Sequence, residues 1–236
     1  MLKRLLDAIG LGLAGSRPPR FAPYKSKTIN AFYHLLFCDD LAAFRKDANE
    51  KPSGPISVLT SETDAPALNQ IANDISLDSR MRMLAYNQLR AADESVPSKI
   101  LLGVIVEVSL ENGLDVLAAF ADGGVRYINH AEKLSLVEDD AFAVREQLDA
   151  VLAAARTIVE QIGPWEQPRL PPPLKGFVRM SFLVSDGLYL GQGPLSDMQR
   201  DPMASPLLKA STSLLQVVVT ETLRQERLRE KKSAGA

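Results

Sequence analysis

The chain has 236 residues, 46% of them hydrophobic and 24% charged, which is enough to bury a full-sized core in one domain. Its 27 basic and 29 acidic side chains leave a formal charge of -2, and aromatics make up 6%, so neither a global positive field nor a stacking surface for nucleic acid is present. A single cysteine, Cys38, excludes an internal disulfide and favours a reducing, cytoplasmic compartment.

Charge is uneven along the chain. Between Met1 and Asn30 six basic residues stand against Asp7 alone, and between Arg224 and Lys232 five stand against Glu226 and Glu230. Leu2, Leu5, Leu6, Ile9 and Leu13 recur at helical spacing beside Lys3 and Arg4, so residues 1–16 read as an amphipathic segment. It docks on the body, on a partner or on a membrane surface. Asp7 and the lack of a small-x-small cleavage site argue against a signal peptide. No apolar run approaches the roughly 20 residues that span a bilayer. Arg17 to Tyr24, with three prolines, is a linker, so residues 1–24 form an appendage to one domain over 25–236, helical over 25–95 and sheet-plus-helix over 96–236.

Thr28 is expected to cap a helix that lines up Ile29, Phe32, Tyr33, Leu36 and Phe37. His34 and Cys38 are four apart, as two metal ligands on one helical side would be, but His130 is the only other histidine, so packing roles are expected and no metal or other cofactor. Ile56 to Leu59 suggests a short strand. Asp64 and Asp78 each begin a helix, with Leu68, Ile71, Ala72 and Ile75 inward in the first and Met81, Leu84, Ala85 and Leu89 in the second.

Four apolar segments then alternate with turn signals: Ile100–Leu110, Leu114–Ala121, Val125–Asn129 and Leu134–Val137. Two-residue turns at Asn112-Gly113 and Asp122-Gly123 predict an antiparallel meander in which Val106 faces Ala119 and Ala119 faces Arg126. Glu107 then shares a sheet face, and a row, with Tyr127, and Asn129 lies in the next row. A bulge at Gly123 or Gly124 would turn the third strand over. Arg126 falls on the opposite face, with Asp115 or Asp186 as its expected partner.

Asp139 or Asp140 opens a long helix with Val144, Leu148, Val151, Leu152, Ala155, Ile158, Val159 and Ile162 inward, stopped by Gly163 and Pro164. Pro164 to Lys175 holds five prolines and reads as a rigid extended crossover. Phe177 to Gly191 is another hairpin, turning at Asp186-Gly187, and Ser205-Pro206 is expected to open the last helix. The order of elements gives α+β, a mostly antiparallel sheet covered by helices.

The chain has no Gly-x-Ser-x-Gly elbow, no Rossmann glycine fingerprint and no Gly-Lys-Ser/Thr phosphate loop. What remains is the mixed sheet face, where Glu107, Tyr127 and Asn129 are the candidate ligand-binding residues. The expected function is a non-enzymatic binding or protein-interaction module, with a protein partner, a second copy or a small ligand. The alternatives are an enzyme using Glu107 as acid or base with Tyr127 or His130 nearby, and a peripheral membrane protein held by residues 1–16.

Three segments, Leu36-Phe37-Cys38-Asp39, Gly113 to Ala118 with Arg126 to Asn129, and Phe182 to Tyr189, resemble an uncharacterised bacterial protein family over about Lys27 to Leu215. The resemblance implies a bacterial, cytosolic protein and brings no activity, cofactor or catalytic residue.

Overall fold

The computed structural model describes residues 21–44, 59, 64–137 and 142–234. Helix α1 (Lys27–Leu35) is capped by Ser26, two residues before Thr28, because the Ser26 hydroxyl accepts the Ile29 amide. Its Phe32, Tyr33 and Leu35 are buried. After a 3₁₀ turn at Leu41–Phe44, α2 (Ala65–Asn73) follows Asp64 and α3 (Ser79–Ala91) follows Asp78, whose carboxylate accepts the Arg80 amide at 2.8 Å. Ile75 lies beyond α2 and is exposed. Of the strand expected at Ile56 to Leu59, only Leu59 is described; it is helical and buried.

Six strands form one antiparallel sheet: β1 (Leu101–Leu110), β2 (Gly113–Phe120), β3 (Val125–Ile128), β4 (Leu134–Val137), β5 (Phe177–Val184) and β6 (Gly187–Pro194). Their order is β4-β3-β2-β1-β5-β6, so the meander and the later hairpin join through β1 and β5. Between them runs α4 (Phe142–Gln161); the short α5 (Leu195–Met198) and the long α6 (Ala204–Ala234) follow β6. The expected caps of α4, Asp139 and Asp140, lie outside the described residues. Asp201, rather than Ser205, caps α6 by accepting the amides of Met203 and Ala204. Pro206 is the third residue of α6 and so falls in its first turn.

Helices cover both faces of the sheet. On one, α1, α2 and α3 pack on Leu102, Ile105, Val116, Ala118, Phe120 and Ile128. On the other, α4 and α6 pack on Val104, Val106, Leu117, Ala119, Val125, Tyr127, Met180 and Phe182. This is the α+β sheet-and-helix class that the order of elements predicts.

The register differs from the expected one at both corners. Leu110 pairs with Gly113, so Glu111 and Asn112 make the turn and Gly113, at φ +135, supplies the positive dihedral as the first residue of β2. Val106 therefore faces Leu117 rather than Ala119. A shift of two residues preserves faces, so the partition of β1 and β2 is as expected. At the second corner the loop has three residues, Ala121 to Gly123, with Gly123 at φ +105, and Ala119 pairs with Val125. That odd residue turns β3 over. Tyr127 moves to the α4/α6 face, and Arg126 moves to the α1–α3 face.

Gly103 leaves no room for a side chain in the sheet. A β-bulge interrupts the β1–β5 pairing between Leu101 and Gly103, and a Cβ on Gly103 would lie 2.9 Å from Phe120 Cδ1 and 3.1 Å from the Ala119 carbonyl oxygen. Phe120 is buried, so its ring could yield only by displacing packed neighbours. Gly103→Ala should lower stability by about 1–3 kcal/mol through overpacking, read from the midpoint of urea unfolding; an unchanged midpoint would show that the ring adapts.

Candidate functional site

The residues singled out in the sequence do not converge. Glu107 lies on the α1–α3 face and Tyr127 on the other, so the shared row expected for them does not exist. The Tyr127 hydroxyl donates to Asp115 Oδ2 at 3.0 Å, and Asp115 Oδ1 accepts the His130 amide at 2.6 Å and lies 3.0 Å from His130 Nδ1. Asn129 closes its own loop by accepting the Lys133 amide. Tyr127 and His130 thus meet at Asp115, and Glu107 has no part in that cluster.

Asp115 is taken up in this way, and Asp186 accepts the Tyr189 hydroxyl, so neither serves Arg126 as expected. Arg126 instead donates to the carbonyls of Val125 and Val137; against burial, the Arg80 bonds and charge, with a smaller part from Arg126, hold the Asp78 carboxyl below its ordinary range.

The polar row through Glu107 runs the other way across the sheet. Register places Val116, Glu107, Arg179 and Gln192 side by side. Glu107 is fully buried; its Oε1 accepts the Tyr33 hydroxyl of α1 at 2.8 Å, and its Oε2 stands 3.7 Å from Arg179 Nη1 with no hydrogen-bond partner. Arg179 forks onto Gln192 Oε1 through Nε and Nη2, at 3.1 and 2.9 Å, and reaches the Leu170 carbonyl through Nη1 at 3.2 Å. One ionic row therefore ties α1, the central strand, the edge strand and the proline-rich segment together.

Burial is the largest influence on Glu107 and pushes its carboxyl above the ordinary range, against the opposing Tyr33 hydrogen bond and the charges of Arg179 and Arg169. The folded chain holds this proton more tightly than the unfolded chain does. Its contribution to stability is complete below the unfolded value of about 4.3 and is lost as pH rises through the raised folded value. The stability difference between wild type and Glu107→Gln should therefore move in favour of the glutamine variant as pH rises, measured by urea titration between about pH 4 and about pH 8. A difference that stays flat, or moves the other way, would contradict the assignment.

A second arginine fixes the proline-rich segment from outside. Arg169 is almost wholly buried; its Nε donates to Asp39 Oδ2 at 2.6 Å, its Nη2 to His34 Nδ1 at 2.8 Å, and its guanidinium carbon lies 3.9 Å from the Phe37 ring centre. An arginine only donates and a carbonyl only accepts, so His34 carries its proton on Nε2, facing the Phe21 carbonyl at 2.6 Å. Burial, together with the charge of Arg169, keeps that imidazole below its usual range. Cys38, expected as a packing residue, is fully buried, and burial pushes its thiol up, away from the reactive thiolate. Among the described residues no group of three or more His, Cys, Asp or Glu is placed to hold a metal ion. No helix among them is long and apolar enough to cross a membrane, and residues 1–16 lie outside the described part.

Beside Arg169 the proline-rich segment stands away from the body and leaves a groove of about 480 Å³. Phe37, Met83 and Leu183 form its apolar floor, Pro164 and Trp165 one wall, and Asn87, Arg90 and Asp186 its polar groups. Asn87 Nδ2 donates to the Cys38 carbonyl at 2.6 Å, and the Trp165 amide donates to the Leu188 carbonyl of the edge strand at 2.6 Å. These bonds keep the walls at a fixed separation. Sequence reasoning missed this site because its parts come from four separate stretches. The signals in the sequence were single: Arg90 near the end of an amphipathic helix, and the only tryptophan of the chain beside a proline.

No protein-family model matches the chain, and neither a curated protein nor a solved structure matches it.

Proposed function

We propose that this chain is a non-enzymatic binding module for a small molecule, and that its site is the groove between the proline-rich segment, α3 and the β5–β6 turn. Helices cover both faces of the sheet, so the sheet face is not open to a ligand and the rim takes that role. The observation that carries the reading is the groove itself. Its volume of about 480 Å³ falls in the range of roughly 300–1,000 Å³ found for small-molecule sites, and its apolar floor with a few convergent polar groups is their usual composition.

Trp165 makes the test direct. It is the chain's single tryptophan, it is half-buried, and it lines the groove, so its emission reports on this site alone. Titration with small carboxylates, amines, zwitterions and neutral aromatics lacking indole should give a saturable change in emission for at least one class. If no class at millimolar concentration changes it, the groove is a packing defect and the reading fails.

A further inference from the structure

Arg90 enters the groove from α3 without a contacting anion. Its Nη1 donates to the Ser185 carbonyl and its Nη2 to Asn87 Oδ1, both at 2.5 Å. Both acceptors are neutral, and among the described residues Arg90 makes no ion pair. Its guanidinium is half-buried, a cost that a neutral acceptor repays only in part.

Asp186 lines the same groove. It supports Arg90 through space from beyond ion-pair distance. Its Oδ2 accepts the Tyr189 hydroxyl at 3.1 Å, and its Oδ1 is buried with no partner. Of the remaining charges, Arg169 pairs with Asp39 while its buried Nη1 has no hydrogen-bond partner, and Glu166 is exposed at the rim.

We infer that the groove takes a small zwitterion of the α-amino-acid type with a large apolar side chain, its carboxylate on Arg90, its ammonium on Asp186 and its side chain against Pro164, Trp165 and Leu188. The inference rests on the groove being a ligand site and specifies the ligand. A simple anion would satisfy Arg90 and leave Asp186 Oδ1 unmatched; a simple cation would do the reverse. A zwitterion satisfies both without changing the net charge of a half-buried site. The soft terminal torsion of an aspartate lets Oδ1 turn toward the incoming ammonium. Pro164, Trp165 and Leu188, the apolar lining residues that keep exposed surface, give the side chain an area to cover.

The test uses Trp165 emission of the whole chain with four probes: phenylalanine, phenylalanine amide, N-acetylphenylalanine and toluene. Phenylalanine should saturate the signal. The amide, which lacks the carboxylate, and the N-acetyl compound, which lacks the ammonium, should each bind at least tenfold more weakly. In Arg90→Gln the acid and the amide should become equal, and in Asp186→Asn the free and acetylated amines should become equal. Equal binding of all four probes to wild type, or binding of toluene alone, overturns the zwitterion and leaves the binding module standing. The absence of any response to the four probes overturns the zwitterion as well, and the wider ligand classes then decide the module separately. Because the chemical series is run on wild type, the result does not depend on either variant folding.

Discussion

Glu107→Ala is expected to destabilise the chain by about 3–5 kcal/mol, seen as a lower urea midpoint. The alanine would leave Arg179, with 4% of its side chain exposed, facing only Gln192 and the Leu170 carbonyl, and would leave the Tyr33 hydroxyl without its acceptor. Removing one member of a buried pair strands the other, which is why the cost exceeds the value of the pair itself. Glu107→Gln retains an acceptor for Tyr33 and should lose about 1–2 kcal/mol. The double change Glu107→Leu with Arg179→Leu should recover most of the alanine loss, since no lone charge then remains. A loss below about 1 kcal/mol for the alanine variant would mean that solvent reaches this row.

Arg169→Ala should cost about 2 kcal/mol, together with release of the proline-rich segment. The figure stays below that for Glu107 because Asp39 is 41% exposed in its side chain and regains water when its partner leaves. What is lost is the stacking on Phe37 and the fork that reaches Asp39 and His34 at once. Lysine cannot reproduce that fork, so Arg169→Lys should behave more like the alanine variant than like wild type. Limited proteolysis should cut the variant between Gly163 and Gly176 faster than wild type, and Trp165 emission should shift to the red. Unchanged proteolysis in that segment would show that Arg179 and the Leu170 carbonyl hold it unaided.

The antiparallel meander, the later hairpin and the long apolar helix were legible because each is written locally, in alternation, turn residues and three-four spacing. The faces of β1 and β2 were legible too, since an error of two residues at Gly113 leaves the pleat unchanged. Tyr127 was misplaced by a single residue at Gly123, because Asp122-Gly123-Gly124 suits a two-residue and a three-residue loop equally well. The site was legible only in part. Glu107 stood out as a lone charge in an apolar strand, but its true neighbours, Arg179 and Tyr33, are 72 positions after it and 74 before it, and nothing in a single sequence pairs them. The same symptom, one charged residue in an otherwise apolar strand, was present at Arg179.

The seam between β1 and β5 joins Leu101 to Val184, 83 positions apart, whereas every other strand pair in the sheet closes over a short turn or loop. Within the sheet, the largest chain-closure entropy therefore falls on this one ladder. The two ribbons can form early and separately, and the step that unites them is expected to be the slow one in building the sheet. Until it closes, β1 presents a long, unprotected apolar edge, so a nascent chain halted before Phe177 carries its greatest hazard of self-association in the strand that later lies innermost.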